Sequence, residues 1–161
     1  MQLYLKEDTK VILRDTGSVL KLSFFLFLIG AIGAIVFKEN LGNAFAFILC
    51  GIISSALGII LERTCKTEKQ TQLRHAFFSV TLIWLLISFF SGLPFKLIAN
   101  IPLIDSLFES TSALTTTGLS VLIPITDSLP RSLIFWRSFI SWVGGIGIVL
   151  VAFMGLFGSY T

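Results

Sequence analysis

Charge is scarce in this chain, and the residues that usually carry chemistry are scarcer. Only 13% of its 161 residues are charged, against roughly 25% in soluble domains. There is one histidine, His75, and there are two cysteines, Cys50 and Cys65. Two cysteines without a second pair or a histidine cluster give no disulfide framework and no metal site. A hydroxyl nucleophile needs a general base within reach, and a single histidine in a basic stretch does not supply one. An enzyme is therefore not expected, and no cofactor is expected. A cleavable leader is not expected either, because the first 18 residues are mostly polar and no small-residue cleavage pattern follows the first apolar stretch.

What the chain has instead is apolar length. It is 55% hydrophobic, with a mean hydropathy of +0.92, sixteen Phe and three Trp. A soluble domain of this size could not hide so much apolar surface, so lipid is the expected surrounding. Four stretches are long enough to cross a bilayer, at about 22–37, 44–61, 76–93 and 132–157. The last is roughly 39 Å long as a helix, enough for a ~30 Å hydrocarbon core with tilt. Gly92 and Pro94 punctuate the end of the third. Gly51, Ser54, Ser55 and Gly58 form a small-residue stripe in the second, of the kind that lets helices approach closely in lipid. Gly144, Gly145 and Gly147 in the fourth either pack closely against a neighbour or form a flexible point or a surface for a re-entrant segment.

The net charge of +3 matters less than its placement. Lys6, Lys10, Arg14 and Lys21 precede the first span, and Arg63, Lys66, Lys69 and Arg74 separate the second from the third. By the positive-inside tendency the N-terminus and the 62–75 loop face the cytoplasm. That rule accounts for both basic clusters, so no nucleic-acid partner is expected. His75, beside Arg74, is expected at the cytoplasmic boundary with no role.

Between the third and fourth spans lies residues 102–121, PLIDSLFESTSALTTTGLSV, too polar to span and too apolar for an ordinary loop. Pro102 suits the first turn of a helix and Asp105 its positive pole. A helix over 102–114 would run roughly 20 Å, partway across the core. Leu103, Leu107 and Leu114 recur on one side, and Asp105, Glu109 and Ser112 on another. Then come Thr115, Thr116, Thr117 and Gly118. Polar backbone at membrane depth is tolerated only where protein or a water-filled cavity satisfies it. A half-helix that ends in a Thr-Gly turn offers a cation a negative dipole end and a row of carbonyl oxygens in place of its hydration shell. A Thr-rich turn alone is a weak signal; the half-helix and flanking spans give it weight. Asp105 and Glu109 either concentrate cations or hold the half-helix in place. Arg137 either snorkels to the outer interface or pairs with Asp105, Glu109 or Asp127.

Three runs, RHAFFSVTLIWLLISFFSGLPF at 74–95, DSLFESTSALTTTGLSV at 105–121 and LPRSLIFWRSFISWVGGIGIVL at 129–150, resemble the TrkH-type potassium uptake proteins of bacteria. The resemblance implies an all-α integral membrane protein with four transmembrane helices and one re-entrant pore half-helix. Residues 1–75 would be two extra helices, and 76–161 the first of four helix–pore loop–helix repeats. It also implies K⁺ as the transported ion, in the inner membrane. Thr116, Thr117, Gly118 and Leu119 match a filter strand, with Thr115 at its inner approach. One repeat supplies a quarter of a filter ring, so the expected partner is a companion chain with the other repeats, or further copies forming a tetramer. A non-conducting fragment is the alternative. A cytosolic nucleotide-binding regulatory ring is a further partner that the resemblance implies.

Overall fold

The computed structural model describes residues 2–157. They form six α-helices and a short 3₁₀ turn, with no strand among the described residues: α1 Gln2–Leu20, α2 Ser23–Val36, α3 Leu41–Thr64, α4 Leu73–Ala99, α5 Leu103–Leu114, the 3₁₀ turn Ile123–Ser128, and α6 Arg131–Phe157. Four stretches are long and apolar enough to cross a membrane: Glu7–Val36, Leu41–Thr64, Leu73–Ala99 and Arg131–Phe153. The expected all-α architecture, four spans and a shorter helix, is the one observed. At 12 residues α5 is about 18 Å long and too short to span.

The first span begins well before the expected Leu22. The polar N-terminal residues are helical, and α1 runs almost straight into α2 through Lys21 and Leu22. Tertiary contacts rather than local pattern hold α1. Val11, Thr16 and Leu20 are wholly buried. The Arg14 guanidinium donates to the carbonyls of Thr67 (2.9 Å) and Lys69 (3.2 Å), and Lys21 pairs with Glu62 at 2.8 Å. Several basic groups counted for orientation thus carry acidic partners, Lys69 and Arg74 sharing Asp8.

His75 lies in the first turn of α4 and is buried. It is 2% exposed, its Nδ1 accepts the Gln72 N–H at 3.2 Å in a capping box that starts α4, and its Nε2 lies 3.1 Å from Asp8 Oδ1.

The small-residue stripe of α3 packs on α1 and α2. Ser54 meets Ser23 oxygen to oxygen at 2.5 Å, and Ser55 Oγ donates to the Lys21 carbonyl. A Cβ on Gly51 would stand 2.9 Å from Phe27, and one on Gly58 would overlap the backbone of α1. The bundle centre is aromatic. Trp136 of α6 lies 5.0 Å from Phe27 and 5.3 Å from Phe47, ring centre to ring centre, over Gly30.

Pro94 does not end α4, which continues to Ala99 and stops at Asn100 in the left-handed conformation. Proline removes a backbone donor from the helix. In the turn before Pro94, side chains of neighbouring helices bond the carbonyls on either side of Phe90: Ser110 Oγ donates to the Ser88 carbonyl at 2.7 Å, and Trp136 Nε1 to that of Ser91 at 3.0 Å. Packing of this kind lets proline persist in a membrane helix.

The start of α6 is capped from a distance. Glu39, in the loop between α2 and α3, accepts from the Ser132 N–H (2.9 Å), Ser132 Oγ (2.6 Å) and Asn43 Nδ2 (2.9 Å). Burial alone pushes the Glu39 carboxyl up, but its bonds from Ser132, Asn43 and the Arg131 backbone outweigh that and hold it below its ordinary value. A lowered folded-state pKa means a contribution present above the ordinary glutamate range and lost as pH falls from about 5 through the lowered value. Glu39→Gln is expected to cost about 1 kcal/mol at neutral pH and to flatten part of the acid-side fall in melting temperature of the detergent-solubilised protein. Equal melting profiles of the two proteins from pH 7 to pH 4 would exclude the cap.

Candidate functional site

The half-helix α5 is held between α4 and α6 by glycine on both sides. A Cβ on Gly92 of α4 would stand 2.9 Å from the Ser106 carbonyl oxygen and 3.0 Å from Ser110 Oγ, while one on Gly144 of α6 would overlap the Leu114 carbonyl. Gly147 makes room for Trp84. Of the two roles considered for this glycine cluster, Gly144 therefore serves as a surface for the polar segment and Gly147 as a close-packing site.

The amphipathic pattern of α5 faces inward by its polar side. Ser106, Glu109, Ser110 and Ser112 are buried, whereas Leu103, Ile104 and Phe108 are exposed. Pro102 is the cap residue, one position earlier than the first-turn place expected.

The chain leaves α5 through two successive bonds, Thr116 N–H to the Ala113 carbonyl (3.0 Å) and Thr117 N–H to the Ser112 carbonyl (3.0 Å). This is a Schellman turn, which needs a left-handed residue just past the helix end, usually glycine. Here that residue is Thr116, at φ 57°. A β-branched residue in this region is strained by about 1–2 kcal/mol. Two residues on, Gly118 has φ 81°, and a Cβ there would meet nothing within 4 Å. Glycine is required at 118 by backbone conformation, not by space.

The five residues expected to form a filter, Thr115, Thr116, Thr117, Gly118 and Leu119, lie together as one exposed run. Their hydroxyls bond locally: Thr115 Oγ1 to the Thr111 carbonyl (2.8 Å), Thr116 Oγ1 to the Thr115 carbonyl (2.7 Å), and Thr115 Oγ1 with Thr117 Oγ1 (2.8 Å). Among the described residues, no hydrogen bond reaches the carbonyl oxygens of Thr116 or Thr117. The Leu119 carbonyl differs, accepting from Ser112 Oγ at 2.6 Å and from Arg137 Nη2 at 3.2 Å.

Behind this run sits Glu109, with 0% exposure. Its Oε1 pairs with Arg137 Nε, and its Oε2 accepts from Ser120 Oγ (3.0 Å) and the Val121 N–H (3.1 Å). Of the partners considered for Arg137, the described residues pair it with Glu109, not with Asp105 or Asp127. Glu109 takes the structural role, joining α5, the turn that follows it and α6. No cluster of His, Cys, Asp or Glu among the described residues could hold a metal ion.

A half-helix wedged between two spans, ending in an exposed Thr-Gly turn braced by a buried ion pair, is a specific arrangement. The family model of TrkH, cation transport protein, matches residues 43–159. The chain belongs to the TrkH family. Among its relatives is an uncharacterized cation transporter of Methanocaldococcus jannaschii, 35% identical over 157 residues, which are 97% of this chain and 32% of that protein. Trk system potassium uptake protein TrkH of Vibrio parahaemolyticus is 36% identical over 149 residues, 88% of this chain and 29% of the relative. The protein of the same name from Escherichia coli K12 is 32% identical over 146 residues, 89% of this chain and 30% of the relative. This TrkH-family chain thus spans about a third of the length of the curated relatives it matches.

Sequence reasoning missed three residues that shape the site in this TrkH-family chain. Nothing in the sequence marks Thr116 as left-handed, since threonine avoids that region. Ser112 was placed on the polar face without a partner. Glu39, which the sequence does not mark, anchors the span that carries Arg137.

The glycine contacts give a graded test. Gly144→Ala is expected to destabilise the detergent-solubilised protein by about 1–3 kcal/mol, since backbone must move to admit the methyl. Gly145→Ala meets only Thr116 Cγ2 at 3.6 Å, an ordinary contact, and should change stability by less than about 0.5 kcal/mol. Equal melting temperatures for the two variants would show that α5 is not seated on Gly144.

Proposed function

We propose that this chain contributes one filter strand, with its supporting helices, to a pore that takes up potassium across the inner membrane. The observation that carries the proposal is the exposed Thr115–Thr116–Thr117–Gly118–Leu119 run at the end of a half-helix, with free carbonyl oxygens at Thr116 and Thr117. A cation gives up its hydration shell only to a ring of oxygens that replaces it. The chemistry is coordination, with no covalent step. Residues 1–75 act as the supporting helix pair and 76–161 as the pore repeat.

One strand is one side of such a ring, so uptake requires companions: a chain bearing further repeats, or more copies of this one. Exposed apolar residues on α5 and α6, among them Ile104, Phe108, Trp142, Val149 and Phe153, fit contact with lipid or with those companions. The basic end, with α1 and the 65–72 loop, faces the cytoplasm in this reading, with the N-terminus inside. A cytosolic nucleotide-binding ring would meet the pore on that side. The potassium uptake proteins of Vibrio parahaemolyticus and Escherichia coli support K⁺ as the ion.

The test is growth on limiting potassium of a bacterial strain without uptake systems of its own. The chain is expressed alone and together with the remaining repeats of a relative. Growth is expected with the companion repeats, and Gly118→Asp is expected to abolish it while membrane levels stay constant, since an acidic side chain is strained at φ 81° and sits on the ion path. Growth unchanged by Gly118→Asp would overturn the filter assignment. No growth in either configuration, with the protein in the membrane, would identify a non-conducting piece.

A further inference from the structure

The two ends of the exposed turn are held differently. Among the described residues nothing donates to the Thr116 and Thr117 carbonyls, while the Leu119 oxygen has both lone pairs engaged, by Ser112 Oγ at 2.6 Å and Arg137 Nη2 at 3.2 Å. Gly118 lies between these cases, with a single long contact to Arg137 Nη2 of 3.5 Å. The guanidinium that reaches Leu119 cannot swing away freely. Its Nε is paired with Glu109, whose second oxygen is bonded to Ser120 and Val121.

We propose that Arg137 is a positioning residue for the filter strand: it holds the Leu119 carbonyl as an anchor, so that the cation-facing oxygens of this strand end at Gly118. The inference rests on the filter assignment above. A carbonyl with two donors has no lone pair for a cation, and a fixed guanidinium beside it repels one. The anchor therefore sets where the coordinating row stops, and it fixes the spacing of the oxygens before it against the pull of a smaller or larger ion. Ser112 acts in the same direction from the helix side. The arrangement needs the planar fork of arginine, with one nitrogen on Glu109 and another on the strand. A lysine ammonium has the charge but no second arm in a fixed direction.

That difference provides the test. Arg137→Lys keeps a cation for Glu109 and loses the arm to Leu119, and Ser112→Ala removes the other donor without touching the ion pair. Uptake of K⁺ and of Na⁺ is measured over a range of concentrations, in whichever configuration restores growth, beside wild type and Gly118→Asp. Arg137→Lys is expected to lower the preference for K⁺ over Na⁺ by about tenfold, the scale of a hydrogen bond to a charged group, with uptake of both ions read per amount of membrane protein. Ser112→Ala is expected to lower the preference by a smaller factor in the same direction. Loss of uptake in proportion to protein level, with the K⁺ to Na⁺ ratio unchanged in both variants, would reduce Arg137 to a structural ion pair and overturn the proposal. Should Arg137→Lys not reach the membrane, the ratio for Ser112→Ala decides alone. Wild-type uptake that survives Gly118→Asp would instead overturn the filter assignment, a different failure from an unchanged ratio.

Discussion

A carboxylate buried to 0% exposure on the half-helix α5 is the constraint on which the rest of this site depends. An ionised group at membrane depth is expensive unless it is paired and its remaining lone pairs are satisfied. Glu109 meets that condition with three groups from two segments: Arg137 of α6, and the Ser120 hydroxyl and Val121 amide of the returning chain. Each bond that lowers the cost of the charge also fixes one piece of the turn. The ion pair and the shape of the 115–121 segment are therefore one structure.

The pair in turn requires that α5 and α6 come close, and glycine makes this feasible. Gly144 lets the Leu114 carbonyl rest on α6, and Gly92 lets Ser106 and Ser110 rest on α4. The start of α6 is held by Glu39, so the helix that carries Arg137 is tied both to the 115–121 turn and to the loop between α2 and α3. Trp136, next in sequence to Arg137, fills the centre of the bundle against Phe27 and Phe47 and donates to α4 in the turn before Pro94. Two consecutive residues of α6 thus couple α2, α3 and α4 to α5 and the turn after it.

Much of this was legible in the sequence because lipid imposes simple rules. Apolar length gave the four spans, and a polar segment between two of them gave the half-helix. The TTTG run located the turn. What escaped was decided by tertiary contact. The polar stretch before Lys21 shows no apolar pattern that marks a packed helix, but Arg14 and Gly17 seat it on the 67–71 loop and on Gly58. Pro94 reads as a stop, but Ser110 and Trp136 bond carbonyls in the turn before it. The strain of the turn sits at Thr116 and not at the glycine, because the Schellman bonds place the left-handed residue two positions before Gly118.

The central claim is that Glu109 and Arg137 act as one unit. A double-mutant cycle with Glu109→Gln, Arg137→Gln and the double variant, read as unfolding free energy in detergent, tests it most directly. Arg137→Gln leaves the buried Glu109 charge without its partner and is predicted to cost about 3–5 kcal/mol; Glu109→Gln leaves only the half-buried Arg137 unpaired and should cost less, and the double variant should cost clearly less than the sum. Additive losses would show that the two side chains contribute independently, and would contradict the account.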